Sequence, residues 1–347
     1  MRSSIPRSET LDVAVVGLGW WGRIILGLLK ASRKLTAVAA VDVAPAAESI
    51  ALEHGLPFSG KFEDAIADPR VQAVILCTPH SQHCEQIVRA ANAKKHVFCE
   101  KPLALSRADA ARAIAACKAN GVALAVGHER RFEPPMLEVQ RMAATGELGA
   151  LLQIEANFSQ DKFLSMPAGN WRLSENEAPA GPMTATGIHM LDLSIGLLGP
   201  AEKVYARVSQ LGSGLTNGDT LGVFVAHQSG ANTLISAILA TPFEGRFALY
   251  GNHGWVDVRD KAHPESPEGW TLTSKLRGNR KQSREYPPAH AVLANLEAFA
   301  DAAAGRAPYP VPQEQMLANI AALEAVFKSV RSGEAERVEN SQVGERE

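Results

Sequence analysis

The strongest constraint on this chain lies at residues 11–42, where a glycine turn sits between two apolar runs. Leu11–Val16 is mostly apolar, as suits a strand buried on both faces. Gly17-Leu18-Gly19-Trp20-Trp21-Gly22 follows at once and has the spacing G-x-G-x-x-G. Arg23–Ala31 predicts a helix, and Leu35–Val41 predicts a second strand that ends in Asp42. Each position has a mechanical task. Gly17 permits a tight turn out of the strand, Gly19 lets a pyrophosphate approach the backbone, and Gly22 lets the helix pack close to the sheet. The helix start offers free N–H groups and partial positive charge to phosphates. Asp42 follows about twenty residues later, where a carboxylate bonds ribose hydroxyls. The pattern predicts a bound dinucleotide. Asp42 would repel a 2′-phosphate, so NAD is favoured, with NADP open if an Arg lies nearby.

The 347 residues suffice for two domains with a large core. A net charge of −2 gives no general attraction to nucleic acid or to an anionic membrane. No apolar stretch is long enough to span a bilayer, and the first residues contain no apolar leader core. The four cysteines, Cys77, Cys84, Cys99 and Cys117, form no C-x-x-C pair and read as reduced thiols. These features predict a cytoplasmic protein. His80-Ser81-Gln82-His83-Cys84 hints at metal, but no further ligand cluster completes a site, so none is expected.

Strands at Val71–Cys77, His96–Cys99 and Val122–Val126 alternate with helices at Glu85–Ala93 and Ser106–Asn120. This alternation predicts a parallel, doubly wound Rossmann sheet over residues 10–128. The pattern then changes. Ser159–Ala180 reads as a long loop and Pro182–Leu198 as a helix. A series of strand-like runs follows, separated by turns such as Asn217-Gly218 and Ser229-Gly230. Residues 129–332 therefore read as a second α/β domain with an open, mostly antiparallel sheet, and 333–347 as a frayed polar tail. Its strands carry apolar residues such as Leu234 and Ile235, which a second copy of the chain would cover in a homodimer or homotetramer.

Four clusters beyond the glycine loop carry candidate chemistry. Thr78-Pro79 and His83 follow one strand, where ligands of open parallel sheets bind, although His83 also suits the surface of a helix. Glu100-Lys101-Pro102 follows the next strand. There Lys101 either hydrogen-bonds a substrate hydroxyl or pairs with Glu100. His189 and Asp192 lie three apart and share a helix face. Neutral His189 would serve as a general base there, with Asp192 orienting it or binding substrate, unless the face is merely solvated. Arg130 and Arg131 at the domain junction, with Trp171-Arg172 in the long loop, either hold a substrate or make structural ion pairs.

Together these clusters resemble the glucose–fructose oxidoreductase, inositol dehydrogenase and rhizopine-catabolism (Gfo/Idh/MocA) family. The residues that carry the resemblance are the glycine loop, Asp42, Thr78-Pro79 with His83, Glu100-Lys101-Pro102, and Gly187 to Asp192 as G-x-H-x-x-D. The resemblance implies NAD or NADP bound between the domains, with Trp20, Trp21, Thr78, His83, Glu100 and Lys101 near the cofactor. It further implies oxidation of a sugar or cyclitol hydroxyl, or reduction of the matching ketone. Lys101 and His189 match the family's catalytic lysine and histidine, and Asp192 its substrate-binding acid. One position departs: where many members carry an Asp four residues before the histidine, this chain has Ala185. Alternatives are a dehydrogenase of a carboxylated cyclic cis-dihydrodiol, an NAD-retaining lyase or epimerase, and a non-catalytic sensor.

Overall fold

The apolar runs of the first half become short parallel strands because most of their residues are buried. In the computed structural model, which describes residues 10–340, they alternate with helices. The order is β1 (Leu11–Val16), α1 (Trp20–Leu29), β2 (Leu35–Val41), α2 (Glu48–Glu53), β3 (Phe58–Ser59), α3 (Phe62–Ala67) and β4 (Ala73–Leu76). Then come α4 (His83–Asn92), β5 (His96–Cys99), α5 (Arg107–Asn120) and β6 (Leu124–Val126). Ser106 caps α5 by accepting from the Asp109 N–H, and Gly121 ends it at φ +65°. The strands form one parallel sheet in the order β3-β2-β1-β4-β5-β6. The order reverses between β1 and β4, so a crevice opens beyond their carboxyl ends.

The second half begins with α6 (Pro134–Ala144), β7 (Leu151–Ser159) and α7 (Ile188–Leu198). Seven strands follow: β8 (Ala201–Ser209), β9 (Thr220–His227), β10 (Asn232–Ile238), β11 (Glu244–Gly251), β12 (Gly254–Asp260), β13 (Trp270–Leu276) and β14 (Gln282–Tyr286). The chain continues through α8 (Ala291–Ala303), α9 (Gln313–Ser332) and β15 (Glu336–Arg337). These strands make a second sheet, in the order β14-β13-β12-β11-β7-β10-β9-β8-β15. It is antiparallel except where β10 lies parallel to β7.

Three features depart from the sequence reading. The segment after residue 332 is not all frayed tail: Glu336–Arg337 pairs with Val204 and Lys203 of β8, while residues 341–347 lie outside the described residues. Strand β14 has no apolar alternation to announce it, and only Tyr286 of its five residues is buried. Helix α8 belongs in sequence to the second domain but packs on the first. Its Val292, Leu296, Phe299 and Ala300 join one core with Val13, Val15, Ile75 and Phe98. The Phe98 and Phe299 rings meet edge-on at 5.8 Å. The first domain thus borrows its last layer from the far end of the chain.

One face of the second sheet is bare of helices among the described residues, and large apolar side chains stay exposed there. Along β10, Thr233, Ile235 and Ala237 are buried, while Leu234 between them is 41% exposed. Phe224 and Tyr205 are similarly exposed, at 41% and 43%. Together they border a shallow groove on that face.

Candidate active site

The glycine loop has the shape its spacing predicted. Gly17 adopts φ +90°, and a Cβ there would lie 2.8 Å from the backbone of Cys77. A Cβ on Gly22 would fall 1.9 Å from the Gly17 carbonyl oxygen, so only glycine lets α1 start this close to β1. A Cβ on Gly19 would meet nothing within 4 Å, which leaves its backbone open. Gly19 caps α1 without a side-chain hydrogen bond, so the first N–H groups of the helix are free for an anion. Asp42 sits beside this loop. Its Oδ2 accepts the Leu18 N–H at 2.6 Å, and its Oδ1 accepts the Ala44 N–H at 2.8 Å. These residues fit a dinucleotide: an uncapped helix start, an open glycine backbone and a carboxylate at the tip of β2.

The ends of β4, β5 and β6 build the floor of a cavity next to this loop. Cys77 and Thr78 follow β4, Glu100 and Lys101 follow β5, and Glu129 follows β6; all five line it. The Lys101–Pro102 bond is cis. His83 does not face the cavity. It is wholly buried, with Nδ1 2.7 Å from the Pro102 oxygen and Nε2 3.0 Å from the Thr78 oxygen. It ties the β4 loop to the β5 loop. Pro79 leads into the turn His80–Gln82 and likewise lies outside the cavity lining.

The segment Pro182–Leu198 is not one regular helix. Met183–Gly187 winds as a π-turn before α7 begins at Ile188. Such wide turns gather at functional sites. Gly187 allows this one, because a Cβ there would press to 3.1 Å on Leu221 and Met183. The turn presents its carbonyls to Lys101, whose Nζ donates to the oxygens of Thr184 at 3.2 Å and Ala185 at 2.5 Å. The hydroxyls of Thr184 and Thr186 are used within the turn, donating to the Gly181 and Pro182 oxygens. His189 follows and lines the cavity at 4% exposure, with Glu129 Oε2 3.6 Å from its Nδ1.

Burial shapes the electrostatics. It pulls the Lys101 ammonium down to about 8, against the favourable charges of Glu129 and Glu100. It pushes Glu129 up to about 7, helped by Glu100 and opposed by Lys101. Glu100 also rises to about 7, chiefly by burial. Burial, then Lys101, His128, Arg130 and His263, hold His189 well below its ordinary value, so its ring is neutral at pH 7. The site therefore offers a neutral imidazole and an ammonium together.

The loop after β7 supplies the outer wall. Arg172 lies over the Trp171 ring at 4.2 Å and reaches toward Trp20 of the glycine loop at 5.8 Å. Lys162 stands 5.7 Å from the same Trp20 ring and pairs with Glu265 at 2.8 Å. Trp20, Trp21, Trp171 and Arg172 all line the cavity.

Three proposed substrate ligands do not line it. Asp192 is 1% exposed and turned to Arg131, whose Nε and Nη2 reach its two oxygens at 2.5 and 2.8 Å. Arg130 is 2% exposed and bonds both oxygens of Asp260, at 2.9 and 2.7 Å. Glu133 completes that cluster at 3.3 Å from Arg130. The helix face shared by His189 and Asp192 is thus neither solvated nor uniformly open to the cavity. Charges buried at the domain junction must pair, and these pairs consume the side chains. Conversely, the sequence reading gave no site role to Glu129, His263 or Glu265 and weighed His80 only as a metal ligand, yet all four line the cavity. Glu129 was visible only as one charge in the run His128-Glu129-Arg130-Arg131. Among the described residues no group of three or more His, Cys, Asp or Glu could hold a metal ion, and no helix is long and apolar enough to cross a membrane.

Comparisons with known proteins agree with this fold. A profile described as "Oxidoreductase family, NAD-binding Rossmann fold" matches residues 11–128, and the Gfo/Idh/MocA C-terminal domain matches residues 136–257. The chain is 30% identical to 1,5-anhydro-D-fructose reductase of Ensifer adhaerens over 83% of its own length and 86% of that protein. It is 25% identical to D-xylose 1-dehydrogenase (NADP(+)) 2 of Haloferax volcanii over 90% and 94% of the two chains. The structure superimposes on aldose-aldose oxidoreductase from Caulobacter crescentus, solved with glycerol, at a TM-score of 0.83 and 26% identity. That match covers 95% of this chain and all of the other.

Proposed function

From its membership of the Gfo/Idh/MocA family of NAD(P)-dependent oxidoreductases, to which this chain belongs, we propose that it oxidises a hydroxyl of a neutral sugar, cyclitol or related polyol, or reduces the matching ketone. The observation that carries this reading is the meeting of Lys101 and His189 in one cavity beside the glycine loop. Gly17, Gly19, Gly22, the start of α1 and Asp42 would hold the dinucleotide. When bound, it supplies the acceptor or donor of hydride. Lys101 would donate a hydrogen bond to the reacting oxygen and stabilise it as it gains alkoxide character. His189 would take or return the hydroxyl proton, a step its neutral ring suits at pH 7. Trp171 and Arg172 would close over the substrate from the outer wall.

A neutral substrate is favoured over a carboxylated dihydrodiol. The junction arginines that could hold a carboxylate, Arg130 and Arg131, are committed to Asp260 and Asp192. In the cavity Lys101 already faces Glu129 and Glu100, which an incoming carboxylate would have to approach. The protein would act as a homodimer or homotetramer, with a second copy covering Tyr205, Phe224 and Leu234. Its cysteines are free and buried, which suits the reducing cytoplasm.

The test is a panel of sugars, cyclitols and dihydrodiols with NAD and NADP, read by the absorbance of the reduced nicotinamide. Turnover of a neutral polyol is expected. Lys101→Ala and His189→Ala should each lower kcat about 100-fold or more while dinucleotide binding survives. Absorbance that stays flat with every compound, or near-normal turnover in either variant, overturns the reading.

A further inference from the structure

We propose that Glu129 is the positioning residue for His189: its carboxylate faces Nδ1, keeps the ring proton on that nitrogen and leaves Nε2 bare toward the reacting oxygen. The proposal rests on the oxidoreductase reading above. It assigns a partner to the histidine at a site where Ala185 supplies none.

The geometry comes from two elements that meet only in the folded chain. Glu129 opens the short turn Glu129–Phe132 that follows β6, and His189 lies in the first turn of α7 just after the π-turn. Glu129 Oε2 lies 3.6 Å from Nδ1, and among the described residues it is the carboxylate that this ring approaches within ion-pair distance. Nδ1 itself is sealed from solvent and has no hydrogen-bond partner there. Nε2 is not among these sealed, partnerless atoms. The other acid of the segment, Asp192, is held by Arg131, and the Thr184 and Thr186 hydroxyls bond backward into their own turn. A distance of 3.6 Å is just outside hydrogen-bond range. Catalytic contacts are commonly this loose without substrate and tighten in the complex.

The charges around the pair fit the assignment. Lys101, His128, Arg130 and His263 all disfavour a second proton on His189. A ring that accepted a proton from substrate would therefore need a compensating carboxylate, which Glu129 provides. Glu129 in turn faces Glu100, Lys101 and Arg130. In the forward direction the carbinol C–H bond breaks with its electron pair leaving as hydride to the bound dinucleotide. The O–H bond breaks with its proton passing to Nε2, and the carbonyl double bond forms. The Nδ1 proton stays on the ring, directed at Glu129, which is not consumed.

The experiment has two independent arms. In the first, ¹⁵N NMR of the protein saturated with NAD⁺ reads the His189 tautomer, with His189→Gln identifying the signals. The proton is expected on Nδ1 in the unaltered protein, and Glu129→Ala should lose that preference. A proton on Nε2 in the unaltered protein overturns the proposal. In the second, Glu129→Gln, which keeps the shape of the side chain, is assayed on whichever polyol turns over. We expect kcat to fall about 100-fold with KM held within about 3-fold. Glu129 titrates near 7, so the unaltered protein should show an acid limb there that weakens in the Gln variant and returns in part with Glu129→Asp. A Gln variant with unaltered kcat and pH profile overturns the proposal. If no compound turns over, the oxidoreductase reading fails, and the tautomer alone decides the Glu129–His189 pairing.

Discussion

The Lys101 ammonium donates to the backbone carbonyl of Ala185 at 2.5 Å. A side chain that cannot bond the lysine thus sits on a backbone group that does. The carbonyl carries no net charge, so burial dominates and Lys101 titrates near 8 despite Glu129 and Glu100. Below that pH the lysine is an ammonium, and above it the oxyanion loses its stabilising charge. Activity should therefore fall on the alkaline side through about pH 8. Ala185→Asp places a carboxylate in this environment, and an opposite charge within a few ångströms raises a lysine's pKa. The alkaline limb of kcat/KM should move up by about one unit. A limb that stays in place would show that Lys101 is not the group lost there.

Asp42 accepts the Leu18 N–H while standing at the tip of β2. Asp42→Ala should weaken NAD about ten- to a hundred-fold, because a charged hydrogen bond to the ribose contributes roughly 1.5–3 kcal/mol. NADP should be weakened less, since its 2′-phosphate is relieved of a repulsion. Dissociation constants for both dinucleotides, measured by nicotinamide or tryptophan fluorescence, check this. Equal losses would undercut the ribose assignment.

Asp219 holds the turn after β8. Burial raises its carboxyl pKa, but the Leu211 and Gly212 N–H groups and the hydroxyls of Ser213 and Thr220 more than offset this and hold it at about 2, against an ordinary 3.8. The depressed value means the folded state favours the ionised form. That stability is present above about pH 4 and is lost as pH falls through about 2. Its size is about 2 kcal/mol. Asp219→Asn should cost about that much in urea unfolding at pH 7, and the gap to the unaltered protein should narrow near pH 2.

Phe224 and Leu234 lie on the bare face of the second sheet at 41% exposure each. On the proposed pairing through this face, Phe224→Glu with Leu234→Glu should shift light-scattering mass toward the monomer, because two like charges would be buried against a second copy. An unchanged mass would place the contact elsewhere.

The cofactor end of the site was legible in the sequence because its causes are local. Gly17 needs a positive φ, Gly22 sits where a Cβ would strike the Gly17 carbonyl, and Asp42 ends the next strand. Each of these is decided within about thirty residues by sterics and hydrogen bonding, so spacing alone carries it. Lys101 and His189 were also legible, as residues placed at a strand end and on a helix. Tertiary structure decided which charges remain free to act. Arg130, Arg131 and Asp192 look like ligands in the sequence, yet at the junction they cannot stay unpaired and buried, so each takes a partner far along the chain. Glu129 looks like one charge in a run, yet β6 and α7 bring it to His189 across 60 residues. Helix α8 completes the first domain from the far end of the second because its apolar face fits the sheet there. Partners distant in sequence leave no periodicity or spacing to read, and only the folded chain selects them.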